Sequence, residues 1–164
     1  MQGTIVQVNI SFGGLPKRSI PEGLITPLGL EGDRHNHSAI HGGPDKAILL
    51  IASEVVDDLV ARGYPLFYGA LGENLTTRGI PIRDLRIGDQ IRACAALLEI
   101  TDRRGPCSAL HVYGDSLKAE IYDAQVKARD PSSTRWGMSG FYARVLHGGL
   151  VRPGDPIELV ASLA

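Results

Sequence analysis

The sequence predicts a mainly β protein of the α+β class, built as one small barrel with a few short helices. Twenty glycines and ten prolines in 164 residues indicate many turns. Segment 85–91 is echoed by segment 151–157, and each copy places a Gly-Asp pair shortly before an isoleucine. Glycine tolerates turn conformations and aspartate bonds neighbouring backbone amides, so both copies predict the tight turns that are typical of small barrels.

Length and composition are those of a globular protein with a single domain, expected over residues 1–164. Seventeen basic and eighteen acidic residues give a net charge of −1, which argues against a nucleic-acid partner. No apolar run is long enough to cross a bilayer, and the N-terminus lacks the apolar core of a signal peptide. We therefore expect a cytoplasmic protein without membrane association, in which the two cysteines form no disulfide framework.

Apolar periodicity predicts the order of the elements. A helix is expected over residues 54–62, capped by Ser53 and ended at Gly63, and a second helix over residues 115–129, ended by Pro131. Strands are expected over residues 3–10, 48–52, 91–100, 141–146 and 157–160, with an edge or bulged strand within 19–28.

A polar loop over residues 32–47 is the first candidate for a functional site. It contains three of the five histidines together with Arg34 and Lys46, and the apolar run 48–51 follows at once. Rigid strands commonly present functional groups from the loops at their ends. The pattern therefore predicts a loop of functional residues positioned by a buried strand.

Within this loop, His41, Gly42 and Gly43 begin a run that leads into a strand. The run is neither a P-loop nor a dinucleotide fingerprint, because both need a following helix. Successive glycines can still expose backbone amides as an anion-binding nest. The cationic residues that could complete a phosphate site, or that could simply be solvated, are Arg34, Lys46, Arg103 and Arg104.

Cys107 is the predicted reactive residue. It follows two arginines, a glycine and a proline, and adjacent cations favour the thiolate form of a cysteine. Cys94 lies inside an apolar segment and is predicted to be a core residue. A redox disulfide between the two cysteines is a minor alternative.

A further polar pair, Glu73 and Asn74, opens the next extended segment after Gly72. The pair could simply supply turn chemistry. Alternatively, both side chains could line the same pocket as Cys107.

A zinc site is a third possibility. His35 and His37 are two residues apart, so on an extended segment they would face the same side. With Cys107 they could form a tetrahedral zinc site. Against this, Ala39 interrupts the His-x-His-x-Asp-His pattern of metallohydrolases, and histidines in glycine-rich loops often bond neighbouring backbone groups.

Five motifs, in this order and over most of the chain, resemble the MOSC domain, which is found at the C-terminus of molybdenum-cofactor sulfurases. They are Gly32-Asp33-Arg34, His41-Gly42-Gly43-Pro44-Asp45-Lys46-Ala47, Gly72-Glu73-Asn74-Leu75, Ile87-Gly88-Asp89 and Arg104-Gly105-Pro106-Cys107.

The resemblance implies a β-rich, barrel-like fold and a characteristic cysteine, which falls on Cys107. In family members that reduce N-hydroxylated compounds, this cysteine is a ligand of molybdenum in a pterin cofactor. The other motif residues are then expected to line the cofactor pocket, and a separate protein would supply electrons.

The resemblance also implies an alternative function. In the sulfurases the domain is proposed to bind the cofactor or to carry sulfur. The chain contains no pyridoxal-phosphate domain with its lysine, which favours a stand-alone domain over a complete sulfurase. As a non-catalytic carrier, the protein would receive sulfur from a cysteine desulfurase as a persulfide on Cys107.

Overall fold

A β-barrel, a small second sheet and a few short helices make up the fold. The computed structural model describes residues 2–34 and 43–161. Its helices are α1 (Ser53–Ala61), α2 (Leu117–Ile121) and α3 (Ala124–Lys127), with 3-10 helices at Pro44–Lys46, Ile82–Asp84 and Ser108–Tyr113. None of these helices is long and apolar enough to span a membrane. Its strands are β1 (Gln2–Ile10), β2 (Arg18–Ile20), β3 (Gly23–Thr26), β4 (Gly29–Leu30), β5 (Ile48–Ala52), β6 (Leu75–Arg78), β7 (Gln90–Ala93), β8 (Ala96–Arg103), β9 (Phe141–His147), β10 (Gly149–Val151) and β11 (Pro156–Ala161).

Seven strands close the barrel in the order β11-β7-β8-β9-β5-β6-β1, because β1 also pairs with β11. Strands β5 and β6 run parallel, with Leu50 opposite Leu75, and the other neighbouring pairs described are antiparallel. A parallel pair needs a crossover connection, which contains α1 here. Strand β2 extends the sheet beyond β1, and β10, β3 and β4 form the small second sheet. The predicted mainly β, barrel-like fold is confirmed.

Strand β5 is buried on both faces, which explains its uninterrupted apolar sequence. Ile48 and Leu50 belong to the core inside the barrel. Leu49 and Ile51 point the other way and pack with residues of α1 in a second apolar layer outside it. Strand β5 therefore joins the barrel to the outer layer in which the candidate site lies.

The repeated Gly-Asp turns have the predicted chemistry. Gly88 and Gly154 adopt φ angles of 98° and 94°, which a side chain would disfavour. The carboxylates of Asp89 and Asp155 each accept a hydrogen bond from the backbone N–H three residues earlier, both at 2.8 Å. The two turns lead into β7 and β11, which are neighbours in the barrel.

Two predicted elements are wrong in their extent. Residues 91–100 form parts of two strands, β7 and β8, with a turn at Cys94 and Ala95 where Cys94 adopts a φ angle of 52°. Cys94 is therefore a half-buried turn residue and not the middle of a strand. The long helix of residues 115–129 is broken at Tyr122, because Asp123 caps a new helix by accepting the N–H of Val126 at 2.8 Å.

Helix α1 confirms the first predicted helix. It ends at Ala61, and Gly63 adopts a φ angle of 100° in the turn that follows, as a C-terminal glycine is expected to do. Ser53 is the first helical residue and not the cap, and its hydroxyl donates to the Glu54 carboxylate at 3.2 Å.

The barrel interior should be sensitive to truncation. Leu98 of β8 is 0% exposed, so Leu98→Ala should lower the free energy of unfolding by about 3 kcal/mol through lost contacts and a residual cavity. Urea denaturation followed by the fluorescence of Trp136 measures this loss. Leu150→Ala is the matched control, because Leu150 is 44% exposed and its truncation should remove less than about 1 kcal/mol. Equal losses in the two variants would contradict the described core.

Candidate functional site

A cavity of about 650 Å³ opens on the outer side of β5 and β9. Leu49 and Tyr142, which lie opposite each other in the register of these strands, form part of its lining. Further walls come from the loop after β1, the loop before β6 and the segment after β8. The apolar lining residues from these segments are Leu15, Pro16, Phe67, Ala109 and Val112.

Cys107 lines this cavity and is half-buried. It lies directly before the 3-10 helix Ser108–Tyr113. The segment that leads to it is held at Arg104, whose N–H donates to the Gly140 carbonyl at 2.8 Å and whose carbonyl accepts the Ser139 hydroxyl at 2.6 Å. These two contacts with the loop before β9 fix the backbone of the segment that leads to Cys107.

Five basic side chains make the cavity cationic, although the whole chain has a net charge of −1. They are Lys17, Arg18, Arg34, Lys46 and Arg104. The lining residues among those that the structure describes include no aspartate or glutamate. A cleft lined by one sign of charge concentrates ligands of the opposite sign, so this cavity is suited to an anionic ligand. Sequence reasoning identifies Arg34, Lys46 and Arg104 and misses the other two.

Lys17, a lining residue that the sequence does not indicate, forms a buried ion pair. Its Nζ lies 2.5 Å from Oδ2 of Asp33, and both side chains are buried. Burial lowers the pKa of Lys17, and the nearby Asp33 carboxylate opposes that shift. The same Oδ2 accepts the Asn74 amide at 2.8 Å, while the other oxygen accepts the Ser11 N–H at 2.8 Å. The network joins the loop after β1, the segment after β4 and the start of β6.

Gly69 fixes the backbone of Lys17. The Lys17 N–H donates to the Gly69 carbonyl at 2.9 Å, and a Cβ on Gly69 would lie only 2.3 Å from the Lys17 carbonyl oxygen. Gly69 also adopts a φ angle of 98°, which favours glycine. The only local signal for this contact is that Gly69 follows an aromatic pair. This signal does not indicate that the partner is Lys17, 52 residues earlier in the chain.

Arg104 is buried at the cavity wall. Its Nη2 donates to the Leu71 carbonyl at 2.7 Å, and its Nη1 lies 3.5 Å from the Ser139 carbonyl. The guanidinium is therefore oriented by the protein before any ligand binds.

The prediction that both arginines face the pocket is wrong for Arg103, which does not line the cavity. Its Nε donates to the Val126 carbonyl at 3.0 Å, its Nη2 donates to the Lys127 carbonyl at 3.1 Å, and its Nη1 pairs with Asp102 at 2.8 Å. Successive residues of an extended chain point to opposite sides, so Arg103 faces α3 when Arg104 faces the cavity. Arg103 fixes the outer side of the segment that leads to Cys107.

Of the predicted pair Glu73 and Asn74, only Asn74 lines the cavity. Asn74 lines the cavity, yet its side chain is bonded within the protein, since Oδ1 accepts the Leu49 N–H at 3.0 Å and Nδ2 donates to Asp33. Glu73 is buried and is not part of the lining, so its predicted placement in the pocket is wrong. Burial raises the pKa of Glu73, although several hydrogen bonds oppose the shift.

The predicted glycine nest and zinc site fall mainly on undescribed positions. His41 and Gly42, like His35 and His37, lie outside the described residues. Gly43 is described with a φ angle of 81°, but it does not line the cavity. Within residues 2–34 and 43–161, no group of three or more His, Cys, Asp or Glu side chains could hold a metal ion.

Comparison with known proteins assigns the chain to a family. A model of the MOSC domain matches residues 37–158, so the chain belongs to the MOSC domain family. It is 34% identical over 134 residues to YflK of Bacillus subtilis strain 168, and 32% identical over 146 residues to YiiM of Escherichia coli K12. These matches cover 80% and 86% of this chain, but only 55% and 60% of the two relatives.

A third relative and two solved structures extend the comparison. A protein of Gibberella moniliformis named "Reductase" is 31% identical over 140 residues, which are 80% of this chain and 22% of that protein. The crystal structure of E. coli YiiM matches with a TM-score of 0.71 at 25% identity, covering 100% of this chain and 72% of that one. YiiM of Geobacillus stearothermophilus matches with a TM-score of 0.64 at 29% identity, covering 97% and 75%.

The contact between Gly69 and Lys17 gives a testable prediction. Gly69→Ala should lower the free energy of unfolding by about 3 kcal/mol, because it adds a backbone clash to the strain of a positive φ. Gly63→Ala is the control, since Gly63 has a φ angle of 100° and open space around it, and should cost about 1 kcal/mol. Denaturant titration compares the two, and equal costs would show that the Lys17 backbone is not held as described.

Proposed function

We propose that the cavity binds the molybdenum cofactor and that Cys107 is the protein ligand of the metal. The proposal depends on one observation, namely that a cysteine thiol and five basic side chains share one cavity of a MOSC domain. MOSC domains are associated with this cofactor. Thiolates are suitable ligands for soft metal centres, and arginine and lysine bind phosphate.

The size and chemistry of the cavity fit such a ligand. A volume of about 650 Å³ lies within the range of cofactor sites, and apolar walls with a few polar groups are typical of them. Lys17 and Arg104, which are buried and already oriented, would hold the phosphate with little ordering. Lys46 has its Nζ 5.2 Å from the centre of the Tyr142 ring, and together with Arg34 it would complete the cationic lining.

The chemistry we propose is the reduction of N-hydroxylated compounds. The bound cofactor would supply two-electron redox chemistry, with electrons from a separate donor protein. In the balanced reaction, two electrons and two protons cleave the N–O bond to an N–H group and water. Leu49 and Tyr142 are buried and would form an apolar wall beside this step. The reductase among the relatives is in keeping with this reaction.

A second candidate function is favoured by the exposure of Cys107. A half-buried thiol at the wall of an open cationic cavity is reachable by a partner protein. A cysteine desulfurase would transfer the terminal sulfur of its own persulfide to the Cys107 thiolate, and the desulfurase thiolate would leave. No net oxidation is needed, and the protein would act as a carrier.

Elemental analysis and intact mass of gently purified protein distinguish the two functions. We expect stoichiometric molybdenum in wild type and in Cys94→Ser, and its loss in Cys107→Ser, because the ligand sulfur is removed. Cys94 is the matched control, since it lies outside the cavity lining. An added sulfur on Cys107 without molybdenum would replace the first function by the second. Equal molybdenum in all three proteins would contradict Cys107 as the ligand.

The cationic lining gives a separate prediction. Lys46→Ala should weaken cofactor retention roughly tenfold, equivalent to about 1.4 kcal/mol, through the loss of one charge-assisted contact. Pterin fluorescence after oxidation measures the retained cofactor, and thermal unfolding should be nearly unchanged. Lys127→Ala is the control, because Lys127 is an exposed lysine outside the cavity. Unchanged pterin content in Lys46→Ala would remove Lys46 from the proposed site.

A further inference from the structure

Glu73 is a fully buried carboxylate behind the basic wall of the cavity, with 0% of its surface exposed. Its Oε2 accepts the Gly69 N–H at 3.1 Å and the Thr76 hydroxyl at 3.0 Å. The Thr76 oxygen itself accepts the Asn9 amide at 3.2 Å, so the threonine proton is committed to Glu73. Both contacts use Oε2 as an acceptor. Together with the nearby Arg104 charge, they oppose the rise that burial causes in the pKa of Glu73.

Two buried polar atoms near this point have no hydrogen-bond partner among the described residues. They are Oε1 of Glu73, an acceptor, and Nε of Arg104, a donor. The Arg104 side chain runs along the backbone that precedes Glu73, because its Nη2 donates to the Leu71 carbonyl at 2.7 Å. A buried acceptor and a buried donor left in the same region are the kind of groups that an ordered water bridges.

We propose that Glu73 is the buried counter-charge of Arg104 and Lys17, and that it limits how strongly the cavity binds anions without touching the ligand. One ordered water between Glu73 Oε1 and Arg104 Nε would complete this arrangement. The inference deepens the proposed function and depends on it only for the identity of the bound anion. It also gives Glu73 a role different from the ligand contact that its sequence position suggests.

If Glu73 acts as a counter-charge, its effect on ligand affinity depends on the charge of the ligand. Electrostatic energy scales with the charge of the ligand, so a dianion responds about twice as strongly as a monoanion to a change in cavity potential. Glu73 would thus weaken the binding of doubly charged ligands more than that of singly charged ones.

Glu73→Gln tests the proposal with sulfate and nitrate as probes. The amide oxygen can still accept both donors at the Oε2 position, so the variant removes the charge and keeps the shape. We expect severalfold tighter sulfate binding by isothermal titration calorimetry at constant ionic strength, with a smaller gain for nitrate. Glu22→Gln makes the same change in net charge at an exposed surface position and should leave both affinities unchanged. Unchanged or weaker sulfate binding in Glu73→Gln would overturn the proposal.

A second measurement keeps this test separate from the proposed function. If wild type binds no sulfate, the anion site itself fails, and the counter-charge is then tested through the Lys17 amine by NMR titration. The charged groups acting on Lys17 are Asp33, Glu73 and Arg104. The Glu73 charge raises the pKa of Lys17, so Glu73→Gln should lower it further, and an unchanged value would overturn the proposal.

The wild-type protein provides a test that does not depend on the folding of any variant. A high-resolution crystal structure should contain a water within hydrogen-bond distance of both Glu73 Oε1 and Arg104 Nε. Either atom bonded instead to another protein group would overturn the bridged arrangement.

Discussion

The hydrogen bonds of Asn74 tie the barrel to the cavity, and the site depends on them. Its backbone N–H donates to the Leu49 carbonyl at 2.9 Å, and its side-chain oxygen accepts the Leu49 N–H at 3.0 Å, which joins β6 to β5. Its carbonyl accepts the Asn9 N–H at 2.8 Å, which joins β6 to β1. Its side-chain amide then reaches Asp33, the partner of Lys17. One buried residue therefore links three strands of the barrel to the partner of a cationic group.

Buried charge is the second constraint on this region. An isolated ion is strongly disfavoured in a protein interior, so a buried lysine or arginine needs an acid or several hydrogen bonds nearby. Lys17 has Asp33 at 2.5 Å, and Arg104 has the Leu71 and Ser139 carbonyls, with the buried Glu73 carboxyl behind it. The cations are thus held in place without a ligand, while the acids stay out of the cavity lining. Such preorganisation favours anion binding because little order has to be created on association.

Local chemistry explains which features could be predicted from the sequence. The Gly-Asp turns depend on contacts between residues three positions apart, and both have the expected geometry. The sequence does not indicate the β-hairpin at Cys94, because an Ala-Cys-Ala-Ala stretch contains none of the usual turn residues. The sequence does not indicate the break in the second helix either. Asp123 can lie within a helix or cap one, and only its hydrogen bond to the Val126 N–H distinguishes the two.

The sequence alone predicts the mainly β class, the turns and the first helix. Its motifs also place Cys107, Arg34, Lys46 and Arg104 in one candidate site. These features follow from residue types and short spacings, which act between near neighbours in the chain. Three placements become visible only in the folded protein: Lys17 joins the site, Arg103 faces α3 and Glu73 lies behind the wall. Each of these placements depends on strand register and on contacts between residues far apart in sequence. The apolar periodicity of a segment does not indicate such contacts.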